Sequence, residues 1–148
     1  MNKGAIRVKL STWPLDKIFN FIGIYNRRKR IKKLFYNKLY YDTRELLRTD
    51  LKLQYNSFQS ALTLQDKVYS LVKKMESYDI SYLSTKDINY YYTFKDLLDS
   101  FKENIIDYKE VYSDDGLISG EQPHINPIFI NEQIRLITNE NEKMKNKI

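Results

Sequence analysis

Six cations fall within seven residues at Arg27-Arg28-Lys29-Arg30-Ile31-Lys32-Lys33, and the surrounding stretch from Lys17 to Tyr41 holds no carboxylate. Ammonium and guanidinium groups at this density bind something anionic: nucleic acid, anionic lipid or the acidic face of another protein. The candidate anionic-partner site is therefore Arg27, Arg28, Lys29, Arg30, Lys32, Lys33 and Lys38. Tyr25, Phe35, Tyr36, Tyr40 and Tyr41 flank it and offer ring faces for stacking on bases, as in proteins that hold single strands. No recognised nucleic-acid motif accompanies the run, so any such contact is expected to be non-specific. The charge is local. Residues 1–41 carry eleven Lys/Arg and one acid, Asp16, whereas residues 42–148 carry fourteen Lys/Arg against eighteen Asp/Glu.

Other chemistries lack the inventory. The one histidine, His124, sits between Pro123 and Ile125 with no second His or Cys to build a metal site or a catalytic pair. The absence of cysteine removes disulfides, thiolate ligands and thiol catalysis together. The four glycines, at positions 4, 23, 116 and 120, match no phosphate-cradling loop. Asp114, Asp115 and Glu121 surround a glycine but lack the alternate spacing of an EF-hand, and helix termination is the plainer reading. The expectation is a protein that is not an enzyme, with no cofactor, no metal and no small-molecule substrate.

A length of 148 residues with 42% hydrophobic content suits one globular unit. Only two alanines in a helix-patterned chain with eighteen lysines reflect AT-rich coding more than any physical demand. No apolar run approaches the ~20 residues a bilayer-spanning helix needs, and no signal-peptide pattern is evident, so a cytoplasmic or virion-associated location is expected. Trp13, Phe19, Phe21, Ile22 and Ile24 ahead of the basic run also resemble an interfacial helix with a polybasic flank.

These side chains need elements to hold them. Ile6, Val8 and Leu10 alternate with Arg7 and Lys9, the period of a short strand. Ser11-Thr12-Trp13-Pro14 reads as a helix start. The basic segment is helical by pattern, with Arg28, Ile31, Phe35 and Leu39 on one stripe, a weak point at Gly23 and a restart or kink at Asp42-Thr43-Arg44-Glu45. From Leu51, a stripe through Tyr55, Phe58, Leu62, Gln65, Tyr69, Val72 and Glu76 predicts one long helix. Ser84-Thr85-Lys86-Asp87 caps a second, with a seam through Ile88, Tyr91, Phe94, Leu98, Phe101, Ile105, Tyr108 and Tyr112. In the Tyr90-Tyr91-Tyr92 run only Tyr91 falls on that seam, and the hydroxyls are expected to reach water. Asp114-Asp115-Gly116 is expected to end this helix. Residues 117–130 read as extended, Asn131 as the cap of a short last helix, and the remainder as a polar tail.

The fold expected is all-α: an antiparallel helical hairpin or bundle with a basic N-terminal helix. Residues 1–113 form the strand-like arm and bundle, and 114–148 an extended C-terminal arm with a short helix. Ile6, Val8 and Leu10 at one end, and Ile125, Ile128, Phe129 and Ile130 at the other, are candidate partner-docking residues. The leading functional expectation is a structural or adaptor subunit of a larger multi-protein assembly, of the kind found in phage or viral particles. Its partners would be other protein subunits, with the basic face toward nucleic acid or an acidic neighbour. The alternative is a small helical nucleic-acid-binding protein acting through Arg27–Lys33, and the third reading is a peripheral membrane-surface protein.

Overall fold

The computed structural model describes residues 15–50 and 57–148. The expected strand at Ile6, Val8 and Leu10, the helix start at Ser11–Pro14 and the stripe positions Leu51 and Tyr55 lie outside the described residues. Helices make up 73% of what is described, together with one small two-stranded antiparallel sheet. The order is α1 (Leu15–Asp50), α2 (Phe58–Glu76), α3 (Thr85–Asn104), β1 (Asp107–Tyr112), β2 (Ile118–His124) and α4 (Pro127–Lys145).

Helix α1 runs unbroken for 36 residues, through both Gly23 and the expected restart at Asp42. Asp42 caps nothing. Its carboxylate instead accepts the Tyr78 hydroxyl, a contact with the segment after α2 that uses the side chain a cap would have needed. Helix α2 begins at Ser57, whose hydroxyl accepts the Ser60 amide, and buries Ala61, Leu64, Val68, Leu71, Val72 and Met75. The expected stripe is thus rotated: Phe58 and Tyr69 are exposed, Leu62 is half-buried, and the small Ala61 lets the neighbouring helix approach. Ser84 caps α3 as the sequence predicts, accepting the Asp87 amide, and Tyr91, Phe94, Leu98 and Phe101 line its buried face.

The predicted continuation of α3 to Tyr112 is corrected. The helix stops at Asn104, and Ile105 and Ile106 are both buried where the chain bends from the helix into a strand. Asp107–Tyr112 then pairs with Ile118–His124, with Glu110 opposite Glu121 and an irregularity between Val111 and Tyr112. Asp114-Asp115-Gly116 makes the hairpin turn, closed by Ser113 N–H to Leu117 O at 2.8 Å and Gly116 N–H to Ser113 O at 2.8 Å, with Gly116 at φ +80°.

The segment expected to be a docking arm joins the core. Asn126, not Asn131, caps α4, accepting the Ile128 and Phe129 amides, with Pro127 in the first turn. Ile130, Ile134, Ile137, Asn141 and Met144 are buried, so the polar tail is largely helix with an inward stripe. Of the C-terminal docking candidates, Ile130 is fully buried, Phe129 and Ile125 pack on the core, and Ile128 alone is exposed.

Cross-links fix the helix directions. Tyr78 to Asp42 and Lys74 to Glu45 join α1 to the α2 end. The Tyr91 hydroxyl on Met75 O and the Gln65 amide on Lys102 O, both at 2.9 Å, join α2 to α3. Tyr90 to Glu140 at 3.0 Å joins α3 to α4. Asn141 Nδ2 on Tyr40 O at 2.9 Å joins α4 to α1. Numbers rise along one helix as they fall along its partner, so chain neighbours are antiparallel. The hairpin hangs off the end where α3 stops and α4 starts. Residues 19–30 of α1 are exposed throughout and extend past the other end.

Candidate functional site, a basic cleft

Where α1 leaves the bundle, its basic face meets the loop between α2 and α3, and a cleft of about 870 Å³ opens between them. Helix α1 contributes Tyr25, Arg28, Lys29, Lys32 and Lys33, and the loop contributes Ser81, Tyr82, Leu83, Ser84 and Thr85. Asp87 of α3 and Lys147 and Ile148, beyond α4, complete the lining. The loop lies where it does because Ser84 must cap α3 and because Leu83 is buried beneath it.

Asp87 anchors the floor. It is 3% exposed and receives the Tyr36 hydroxyl at 2.7 Å and the Ser84 hydroxyl at 2.6 Å, with the Lys32 ammonium at 3.3 Å. Burial alone would raise its pKa, but the hydrogen bonds from Ser84 and Tyr36 and the Lys32 charge outweigh it and hold the carboxyl below its usual range. Burial, then the bond to Asp87, push the Tyr36 hydroxyl well above the usual tyrosine value, so it stays a donor. Lys147 lies over two rings, 3.9 Å from the Tyr90 centroid and 4.6 Å from that of Tyr36, and donates to the Tyr36 hydroxyl at 3.2 Å. Dehydration there pulls its pKa below the ordinary lysine value.

Of the sequence-predicted cations, Arg28, Lys29, Lys32 and Lys33 come together in the cleft. Arg27 lies over the Tyr82 ring at 5.4 Å, at the rim. Lys38 lies over Tyr78 at 4.5 Å, one turn and more along α1, and Arg30 does not line the cleft. Asp87 is committed to Tyr36, Ser84 and Lys32, and no carboxylate among the described residues forms an ion pair with Arg28, Lys29 or Lys33. The cleft therefore offers unneutralised cations and two exposed rings, Tyr25 and Tyr82. That set suits phosphate oxygens with a planar group beside them.

Tyr82 and Lys147 carry no local sequence signal for this site, since Lys147 and Tyr36 are 111 residues apart. The tyrosine run resolves as three different environments. Tyr91 is buried in the seam, Tyr90 is half-buried, and Tyr92 is exposed. The Tyr90 and Tyr91 hydroxyls bond to protein rather than to water. His124 stands opposite Asp107 at the base of the hairpin. Among the described residues, no three His, Cys, Asp or Glu side chains are grouped to hold a metal ion, and no helix is long and apolar enough to cross a membrane. Comparison of the chain with protein-family models, curated proteins and solved structures returns no match.

Proposed function

We propose that this protein binds single-stranded nucleic acid without reading its sequence, as a binding protein rather than an enzyme. One observation carries the reading. Four cations of α1 and Lys147 from the opposite end of the sequence converge on a cleft that also exposes Tyr25 and Tyr82. Cations neutralise phosphates while rings accept any base, and neither interaction discriminates sequence. The test is fluorescence anisotropy with labelled homopolymeric oligonucleotides over a salt series. Three to four phosphate contacts, with Lys32 held by Asp87, give a log–log salt slope of about −2 to −3 on a single strand. Arg28→Glu with Lys33→Glu should abolish binding while leaving the helical circular-dichroism signal intact. Wild-type protein that fails to bind at low salt overturns the reading.

A second reading, a structural subunit of a larger assembly, is favoured by a separate observation. Leu15, Phe19, Phe21 and Ile24 are each more than half exposed on the projecting part of α1. Leu15 and Phe19 lie on one side of the helix and Phe21 and Ile24 on the other, and a helix apolar on both sides is normally covered. Docking by a C-terminal arm is not part of this reading, because Ile130 lies in the core and Phe129 and Ile125 pack against it.

A further inference from the structure

The exposed half of α1 and the β1–β2 hairpin are complementary, and one molecule cannot bring them together. Helix α1 is continuous, so its first sixteen residues prolong the helix axis away from the bundle. They emerge beside the α2–α3 loop and Lys147, as the cleft contacts show. The hairpin leaves the other end, and α3, with 20 residues, sets the two about 30 Å apart at 1.5 Å per residue. A straight helix pointing outward from one end cannot fold back on the other.

Both surfaces lack cover among the described residues, and their chemistries match. The helix presents Leu15, Phe19 and Ile22 at i, i+4 and i+7 on one face, all about half exposed or more, with Arg30 further along the same stripe. The hairpin is exposed on both faces, with Tyr108, Tyr112, Leu117 and Ile118 between 53% and 67% accessible. Its charge is opposite in sign: residues 107–124 hold Asp107, Glu110, Asp114, Asp115 and Glu121 against Lys109 alone. Glu110 and Glu121 stand directly across the ladder, where like charges are destabilising unless a cation sits between them. A two-stranded ribbon with no covered face is also marginal by itself.

We propose that the exposed N-terminal half of α1 docks on the acidic hairpin of a second copy of this chain. Apolar residues meet across the contact, and Arg30 approaches the Glu110–Glu121 pair. The two surfaces differ, so the contact is head-to-tail and leaves each dimer with one helix and one hairpin free to add further copies. The contact uses neither Lys29, Lys32, Lys33 nor Lys147, and stands apart from nucleic-acid binding at the cleft.

The experiment is sedimentation velocity on the full chain, nuclease-treated and free of 260 nm excess, over a range of concentrations at low and high salt. Two variants are compared with wild type: Phe19→Glu/Ile22→Glu on the helix and Glu110→Lys/Glu121→Lys on the hairpin. All four positions are exposed, and circular dichroism verifies that both variants fold. Wild type should form a ladder of species that grows with concentration and shrinks with salt, and each variant alone should be monomeric. An equimolar mixture should give 1:1 dimers and nothing larger, because each variant retains one intact surface. A monomeric wild type at every concentration overturns the proposal, as does a mixture that stays monomeric. A hairpin variant that associates like wild type would instead assign the contact to helix-helix pairing. Wild type that stays monomeric but binds anionic vesicles would assign the helix to lipid.

Discussion

The Tyr36 hydroxyl donates to Asp87 Oδ1 at 2.7 Å across 51 residues of sequence, with Tyr36 fully buried and Asp87 3% exposed. The pair ties the middle of α1 to the first turn of α3 and sets the angle at which the basic face meets the loop. Breaking it leaves a buried polar group without its partner, which costs about 1–3 kcal/mol. Tyr36→Phe should therefore lower unfolding stability by about 1–2 kcal/mol in urea titrations. Asp87→Asn should lower it by about 2 kcal/mol, because a charge-assisted set of bonds is lost.

The same carboxylate predicts acid sensitivity with a definite sign. Its folded pKa is depressed, so its contribution is fully present above the unfolded aspartate value of about 3.9 and is lost as pH falls through the folded value. Wild type should lose stability on acidification below about pH 4. Asp87→Asn should show a flatter profile over that interval. Parallel profiles for the two proteins would mean that other carboxylates dominate acid unfolding.

Lys147 makes a prediction for the cleft. Its pKa is lowered by dehydration over the Tyr36 and Tyr90 rings, so its positive charge is lost at a lower pH than that of an ordinary lysine. Oligonucleotide affinity should accordingly weaken on the alkaline side before the usual lysine titration near about 10.4 is reached. Lys147→Arg keeps its charge throughout and should remove that early decline. Lys147→Ala should weaken binding and flatten the salt slope by about 0.7, the share of one phosphate on a single strand.

Legibility from the sequence follows the range of the interactions. The Ser84 cap rests on residues three apart, and the structure realises it as the spacing predicts. The end of α3 is misread because Ile105, Tyr108 and Tyr112 continue a helical spacing, while the strand signal there rests on a partner strand beyond the turn. Asp115-Gly116 is ambiguous for a physical reason: a glycine at positive φ serves a helix C-cap and a hairpin turn alike. Asn126-Pro127 is a stronger helix start than Asn131, because the proline in the first turn reinforces the asparagine cap. The basic half of the cleft is legible because it lies on one helix. Tyr82, Asp87 and Lys147 join it only through tertiary contacts, which no local pattern encodes.

Thr43 offers a test in the opposite direction, toward greater stability. It is fully buried in the middle of α1, and its hydroxyl has no hydrogen-bond partner among the described residues. A buried hydroxyl without a partner costs about 1–3 kcal/mol relative to an apolar group of the same shape. Thr43→Val keeps the branched outline and should raise stability by about 1 kcal/mol, read as a higher urea midpoint at unchanged slope. A loss of stability would show that the hydroxyl has a bonding partner in solution.

Gly116 separates the stability of the hairpin from that of the bundle. Its φ of +80° is a conformation in which a side chain is strained, yet a Cβ built there meets nothing within 4 Å. Gly116→Ala therefore carries a backbone penalty of about 1–2 kcal/mol and no steric one. Every residue of β1 and β2 is exposed, so the ribbon shares little burial with the helices and should open as a local unit. The expected result is faster hydrogen exchange at the Ser113 and Gly116 amides, which bond to Leu117 O and Ser113 O. Amides in the middle of α3 and α4 should keep wild-type protection, and the thermal midpoint of the helical signal should not move. If the helices lose protection together with the turn, the ribbon is cooperative with the bundle, and the Ile105-Ile106 and Ile125 junctions transmit its strain. If only the turn responds, the same substitution becomes a clean probe of self-association, since it loosens the hairpin without altering the helical scaffold.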